Sequence, residues 1–175
     1  MNKRNQTGAV AAVCLSSQPG LPKSPTSQIQ LVKDHGVEGD YHAGKYIRHR
    51  YLVKKDPQRV NNRQVLLVDV LIHKQVLDQG IQLAPGDLGE NILVEGIDLM
   101  SLEIGAKLVI GSALIEITEI RVPCYQLNGV HPGLQEAAEV DDNGTIVPGA
   151  GMLAVVLEGG FIQPGDQVLV RESGL

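Results

Sequence analysis

The sequence predicts a single, mainly β domain (α+β in class) with a barrel-like core and a few short helices. The chain has 175 residues and a mass of 18.8 kDa, which is the size of one domain. Hydrophobic residues make up 43%, enough for a sizeable core. The 20 glycines and 9 prolines exceed average usage and predict many turns between short strands. We expect one domain over residues 1–175, with its core between about 9 and 170.

Turn residues divide the first part of the chain into short strands. The apolar run from Ala9 to Leu15 predicts a strand. Because it is very short and strand-like sequence soon resumes, we do not interpret it as a signal peptide, and we expect a cytoplasmic protein. A loop is predicted at 20–25. The next strand is predicted from Ile29 to Val32 and leads into a turn at Gly36 to Asp40.

The middle of the chain contains the best candidate for a long helix. A buried strand is predicted from Gln64 to Val68. Apolar residues then follow helical spacing from Asp69 to Gln79, and Gly80 can end that helix. Proline and glycine punctuate a loop from Ala84 to Glu90, and a short strand is predicted from Asn91 to Val94.

The second half of the chain predicts a hairpin and two further strands. The arms of the hairpin are Lys107 to Ile110 and Ala113 to Val122, joined by the two-residue turn signal Gly111-Ser112. The further strands are predicted at 153–157 and 167–170. Six to nine short strands with two or three helices favour a barrel or a curled sheet.

Positive charge is concentrated near the start of the chain. Residues 1–63 hold 11 Lys and Arg against 4 Asp and Glu, whereas residues 64–175 hold 4 against 16. Most of the positive charge lies between Lys45 and Arg63. That stretch is either a solvated, mobile loop or a rim that attracts a small anionic ligand or an acidic partner.

Composition excludes several classes of protein. A net charge of −5 and an aromatic content of 3% argue against a nucleic-acid-binding module. No apolar run reaches the length of a membrane span, so no membrane association is expected. The two cysteines, Cys14 and Cys124, are not part of a CxxC or Cys/His cluster, which excludes a disulfide framework and a zinc site.

Cys124 is the most informative single residue. It follows Pro123, which is favoured at a helix start, and Gly129 can end a single helical turn. Backbone N–H groups at a helix start stabilise a thiolate and lower its pKa. Arg121 could assist only if the chain bends at Pro123, because an odd offset along a strand changes face. The alternative is a buried structural thiol, which is our interpretation of Cys14.

Other polar residues lie in glycine-bounded turns. Asp40 and His42 are two residues apart, so on extended backbone they share a face and could bind one ligand. Asp87, Glu90 and Asn91 lie in a second such turn. Asp and Asn are ordinary turn residues, so each of these signals is weak by itself.

Read in order, several motifs together resemble the MOSC domain, the C-terminal module of molybdenum-cofactor sulfurases, in its stand-alone bacterial form. The cysteine motif is Arg121-Val122-Pro123-Cys124, and the similarity covers roughly residues 9–170. The other matching segments are Gly20-Leu21-Pro22-Lys23, Gly39-Asp40-Tyr41-His42-Ala43-Gly44, Arg63-Gln64-Val65, Pro85-Gly86-Asp87-Leu88-Gly89-Glu90-Asn91-Ile92, Leu102-Glu103-Ile104-Gly105, Leu108-Val109-Ile110-Gly111, Gly151-Met152, Leu157-Glu158-Gly159-Gly160 and Gly165-Asp166.

The resemblance implies a β-rich, barrel-like fold and an essential cysteine. By resemblance that cysteine is Cys124, which either carries sulfur as a persulfide or ligates molybdenum as a thiolate in the molybdenum cofactor (molybdopterin). The residues that resemblance assigns to the pterin and its phosphate are Arg63, Asn91 and Arg121, with His42 and Lys23 as weaker candidates. The sulfurases carry pyridoxal phosphate on an upstream domain, so we expect none in this chain.

Three functions are compatible with the resemblance. The first is a molybdenum-cofactor-dependent reductase of N-hydroxylated compounds, with electrons supplied by a separate donor protein. The second is a sulfur transferase that passes a persulfide from Cys124 to an acceptor protein, with the basic stretch guiding docking. The third is a non-catalytic cofactor-binding or scaffold module.

Overall fold

The structure is a computed structural model that describes residues 6–139 and 149–171. Within these ranges the chain forms eleven strands and three short α-helices. The strands are β1 (Thr7–Leu15), β2 (Ser24–Thr26), β3 (Ile29–Val32), β4 (Gly36–Val37), β5 (Val65–Asp69), β6 (Ile92–Glu95), β7 (Lys107–Ile110), β8 (Ala113–Ile120), β9 (Met152–Glu158), β10 (Gly160–Ile162) and β11 (Gln167–Arg171). The helices are α1 (Arg50–Lys55), α2 (Val70–Asp78) and α3 (Leu134–Ala138).

Seven strands close into a barrel, which confirms the mainly β, barrel-like prediction. Their order is β11-β7-β8-β9-β5-β6-β1, and β1 closes the ring by pairing with β11 as well as with β6. A register shift between Val10 and Ala12 bends β1, and bulges of this kind help a sheet to curl. Only the β5–β6 pair is parallel among these strands. β2 extends the sheet beyond β1, and β10, β3 and β4 form a second small sheet.

Aliphatic side chains fill the interior of the barrel. Along β8, Ile115 and Ile117 are buried while Glu116 and Thr118, which follow each of them, are half-buried, which is the alternation expected of a strand with one face on the core. A second apolar cluster lies outside the barrel under α2 and α3, where Val76 and Leu134 are fully buried. The helices therefore cover one side of the barrel without contributing to its interior.

The long predicted helix is confirmed as α2. Its first residue follows Asp69, whose carboxylate accepts hydrogen bonds from the backbone N–H groups of Leu71 at 2.8 Å and Ile72 at 3.3 Å. The other oxygen of Asp69 accepts the N–H of Leu99 at 3.2 Å. Gly80 has a positive φ of 88° just beyond the helix, where a side chain would be strained.

Five elements were not predicted: the helices α1 and α3 and the strands β2, β4 and β10. The basic stretch contains the helix α1, which has no buried residue and hence no apolar stripe that would reveal it. Strand β2 overlaps the end of the predicted loop at 20–25 and includes a proline. Strands β4 and β10 are two and three residues long, too short for a periodic signal. None of the helices in the described ranges is long and apolar enough to cross a membrane.

Candidate functional site

Loops at one side of the barrel form a cleft of about 620 Å³. This lies within the usual size range of small-molecule sites, about 300–1,000 Å³. The cleft walls come from residues 19–23, 41–51, 61–66, 88–91 and 121–126, with Leu153 from β9. The six residues that the resemblance assigns to the site all line this cleft: Lys23, His42, Arg63, Asn91, Arg121 and Cys124.

Cys124 stands at the junction of extended backbone and a 3-10 helix. That helix, Tyr125–Gly129, is the single turn that Pro123 and Gly129 predict, and Cys124 is its N-cap residue with φ −130° and ψ 164°. The buried side chain of Leu127 anchors the turn to the protein. Cys124 itself is partly exposed, so its thiol is accessible from the cleft.

Arg121 reaches the same cleft because β8 ends before it. The strand stops at Ile120, so the alternation that would separate Arg121 from Cys124 no longer applies. The backbone of Arg121 pairs with Gly151 at 3.0 Å and with Ala150 at 2.9 Å.

The guanidinium of Arg121 is incompletely paired. Its Nη2 donates to the carbonyl oxygen of Leu88 at 2.9 Å, while its Nη1 is buried and has no hydrogen-bond partner among the described residues. Burial lowers the pKa of Arg121, and the neighbouring Cys124 and Glu90 oppose that shift. A buried donor without an acceptor is costly, so this nitrogen can be satisfied by an acceptor atom from a ligand or by water.

Arg63 has a carboxylate partner that the sequence analysis did not anticipate. Its Nε and Nη2 both donate to Glu119, the latter at 3.0 Å, in a half-buried bidentate pair. Alternation along β8 places Glu119 on the side of Ile115 and Ile117, and a register shift follows Ile117. In the sequence, Glu119 is a carboxylate on the face of the strand that points to the core. Such a residue needs a buried partner, and this was the one sequence feature that indicated a pair with a cation.

Asp40 is the centre of a buried hydrogen-bond network behind the cleft. Its carboxylate is 3.0–3.1 Å from Nζ of Lys23 and accepts from Nδ2 of Asn91 at 3.1 Å and from the backbone N–H groups of Ser16 and His42. Burial acts to raise the pKa of Asp40, but hydrogen bonds from His42 and the charge of Lys23 outweigh it and hold that pKa well below its usual range. Asp40 is therefore ionised.

This network already uses the polar groups of Asn91 and Lys23. Besides Asp40, the amide of Asn91 donates to the carbonyl of Cys14 at 3.1 Å and accepts from the N–H of Leu66 at 3.1 Å. Lys23 is 5% exposed and paired with Asp40. Both side chains therefore line the cleft, but their polar groups bond to the protein and support the cleft wall. His42 is more open, with its Nδ1 3.5 Å from Asp40.

The two thiols differ sharply in environment. Cys14 is fully buried, and burial together with the charge of Glu90 raises the pKa of Cys14 to about 12. The low accessibility predicted for Cys14 is thereby confirmed. Cys124 is the one thiol of the described residues that lines the cleft.

Part of the basic stretch, for which a solvated loop and a rim around an anionic ligand were both open from the sequence, lines the cleft. Arg48, His49, Arg50 and Tyr51 all line it. Burial, followed by the charges of Arg63 and His42, lowers the pKa of His49. The concentration of positive charge was the signal for this wall, but charge alone does not indicate which face a segment adopts.

The donor set suits an organic anion better than a bare metal ion. In residues 6–139 and 149–171 no group of three or more His, Cys, Asp or Glu side chains is arranged to hold a metal ion. What the cleft offers is one accessible thiol, a buried arginine nitrogen that needs an acceptor, and several cationic residues. These groups fit the molybdenum cofactor, in which a pterin with a phosphate carries the metal.

Comparisons with known proteins agree with the fold. The family model of the MOSC domain matches residues 54–169 of the sequence. The crystal structure of the YUAD protein from Bacillus subtilis is similar with a TM-score of 0.78 at 21% identity, covering 95% of this chain and 97% of that one.

More distant structures share the same architecture. The crystal structure of YiiM from Geobacillus stearothermophilus has a TM-score of 0.63 at 19% identity. The match covers 97% of this chain and 75% of the YiiM chain. YiiM from Escherichia coli has a TM-score of 0.58 at 17% identity, covering 95% and 71%. A comparison with curated proteins gives no match. The family model spans well over half of the sequence, and the chain therefore belongs to the MOSC domain family.

Proposed function

We propose that this protein binds the molybdenum cofactor in the cleft beside Cys124. The observation that carries the proposal is the buried Nη1 of Arg121, which has no partner among the described residues and lies in the same cleft as an accessible thiol. Phosphate oxygens are strong acceptors for a guanidinium, and the pairing is stronger where water is excluded. An anionic cofactor would complete the bonding of this arginine.

The side chains have separate tasks in this proposal. Arg121 would bind the phosphate, and Arg63 would contact it through the guanidinium nitrogen that the pair with Glu119 leaves unused. Cys124 presents a thiolate, a soft ligand that suits molybdenum. The pair of Asp40 and Lys23 keeps the wall rigid, because both groups are buried and hydrogen-bonded. When bound, the cofactor would supply redox chemistry at its metal.

The reaction class that we propose for the loaded protein is reduction of N-hydroxylated compounds. Electrons would come from a separate donor protein, since two cysteines cannot supply the ligands of an iron–sulfur cluster. We also propose a cytoplasmic location, in keeping with two free thiols.

Metal analysis of purified protein tests the cofactor proposal. Protein produced in a molybdenum-replete host should contain close to one molybdenum and one pterin per chain. Cys124→Ser should lose the metal, and Arg121→Gln should lose both components. Cys14→Ser makes the same chemical change at a thiol that does not line the cleft, and it should retain them. Wild-type protein with neither molybdenum nor pterin would refute the proposal.

A sulfur-carrier function is the second candidate. The observation that favours it is that Cys124 is accessible without any second thiol in the cleft lining, and a persulfide needs only one reactive sulfur. Mass spectrometry of the intact protein would then show an addition of about 32 Da that is removed by reductant. The addition should be absent from Cys124→Ser. Molybdenum without that addition would exclude this candidate.

A further inference from the structure

A second cavity of about 440 Å³ adjoins the cleft. Its lining includes Val53 and Lys54, which do not line the cleft. The other lining residues are shared between the two spaces: Tyr41, Ile47, Arg48 and Arg50. The shared lining residues make the cavity and the cleft neighbours.

The segment 41–55 that forms this cavity has an unbalanced charge. It contains five lysines and arginines and no aspartate or glutamate. Within the described ranges none of the five forms an ion pair, although Lys23, Arg63 and Lys107 elsewhere each have a carboxylate. Nor does core packing account for the helix in this segment, because α1 has no buried residue. The cations are thus available to an anionic ligand.

The same segment places aromatic rings beneath its cations. Three of the four tyrosines of the chain are here, at 41, 46 and 51. Arg48 lies over the ring of Tyr41 at 5.9 Å and also donates to the carbonyl oxygen of Tyr41 at 3.2 Å. Arginine held on a tyrosine ring forms a flat surface on which a planar heterocycle can stack.

We propose that this cavity binds a nucleoside phosphate. Arg50 and Lys54 would bind the phosphate, and the stacked pair of Tyr41 and Arg48 would hold the base. Ile47 and Val53 supply the apolar part of the lining. The recess is shallow and open on one side, and its volume of about 440 Å³ is within the size range of small-molecule sites. The net charge of −5 is consistent with a mononucleotide ligand and unfavourable for a polynucleotide.

This nucleotide could come from two sources. It could be attached to the pterin cofactor, with the cofactor running from the cleft into the cavity, and that version rests on the proposed function. It could also be a free nucleotide, which does not depend on the cofactor. Both sources share a base, a sugar and a phosphate, and the experiment separates them.

Calorimetric titration of the purified protein with 5′-AMP and 5′-GMP tests the site directly. We expect each nucleotide to bind at least about tenfold more tightly than adenosine, guanosine or inorganic phosphate alone, since stacking and charge act together. Lys54→Gln should weaken binding about fivefold to tenfold, the effect of losing one charged contact. Val53→Asp should weaken it further by repelling the phosphate. The matched control Lys33→Gln removes an exposed lysine outside both cavities and should bind as wild type does.

The outcomes separate this proposal from the cofactor proposal. In protein purified without bound pterin, nucleotides that bind no better than phosphate, or as tightly to Lys54→Gln as to wild type, would overturn the nucleotide site whatever the outcome of the metal analysis. Because Lys54 is exposed, its substitution does not threaten folding. Acid extraction of cofactor-loaded protein that releases one nucleotide per pterin supports the attached form. Pterin without nucleotide, together with AMP binding that is sensitive to Lys54→Gln, supports a free nucleotide.

Discussion

The substitution Asp40→Asn should destabilise the protein strongly, although Asp40 lies away from Cys124 in sequence. Asparagine has nearly the shape of aspartate but no charge. Its amide nitrogen would also face donors that now bond to carboxylate oxygens, among them Lys23 and Asn91. Lys23, only 5% exposed, would be left as a buried ammonium without a counter-charge.

The structure gives the expected magnitude. Removing one partner of a buried ion pair costs about 3–5 kcal/mol, because the remaining charge is desolvated without compensation. For a domain of this size, that corresponds to a fall in Tm of about 6–20 °C. Urea unfolding followed by circular dichroism measures the loss. The control is Asp34→Asn, at an exposed position with a positive φ of 57° that asparagine tolerates.

The pH dependence of stability provides an independent readout of the same carboxylate. The pKa of Asp40 is depressed in the folded protein, so its stabilisation is fully present above the unfolded value of about 3.9 and is lost as pH falls below it towards the folded value. Asp40→Asn should therefore show a shallower fall in unfolding free energy between about pH 5 and 3. If Asp40→Asn unfolds like Asp34→Asn, or keeps the wild-type acid slope, the buried ion pair does not hold the cleft wall as argued.

Three further predictions follow the same logic. Iodoacetamide should label Cys124 but not Cys14 in the folded protein near neutral pH, because Cys14 is buried with a pKa of about 12, and mass mapping that finds equal labelling would contradict this. Asp69→Ala should lower the free energy of unfolding by about 2–4 kcal/mol, because it removes the cap of α2 and leaves the N–H of Leu99 unpaired. The control Asp78→Ala removes one partner of an exposed ion pair and should change the free energy of unfolding, measured in urea, by under about 0.5 kcal/mol. Glu119→Gln should tighten inorganic phosphate binding by about fivefold by freeing Arg63, a change that Glu116→Gln should not reproduce in calorimetry.

Local sequence features determined much of the secondary structure. Helix α2 was predictable because its cap, its spacing of apolar residues and the glycine that follows it are all within twelve residues of one another. The β7–β8 hairpin was predictable because its turn joins neighbouring strands. These features depend only on residues that are near one another in the chain, so they can be recognised without knowledge of the fold.

The motifs also predicted which residues would meet in the cleft, but not what each would bond to. Arg63 was expected to be open to a ligand, yet it pairs with Glu119, 56 residues away. Asn91 was expected to face the cofactor, and its amide is instead taken up by Asp40, Cys14 and Leu66. A motif records that a polar residue belongs in a place, whereas its partner depends on which elements pack behind it.

Barrel closure and the cleft itself were decided only in three dimensions. The ring closes through pairing of Thr7 with Leu169, at nearly opposite ends of the chain. No local propensity favours one such long-range pairing over another, because its stabilisation comes from the shared core that forms when the strands meet. By itself the sequence determined a β-rich domain of the MOSC type with one candidate cysteine. The tertiary structure decided that the thiol, the partly unpaired Arg121 and part of the basic segment 41–55 line one cleft, because closing the barrel brings their loops to the same side.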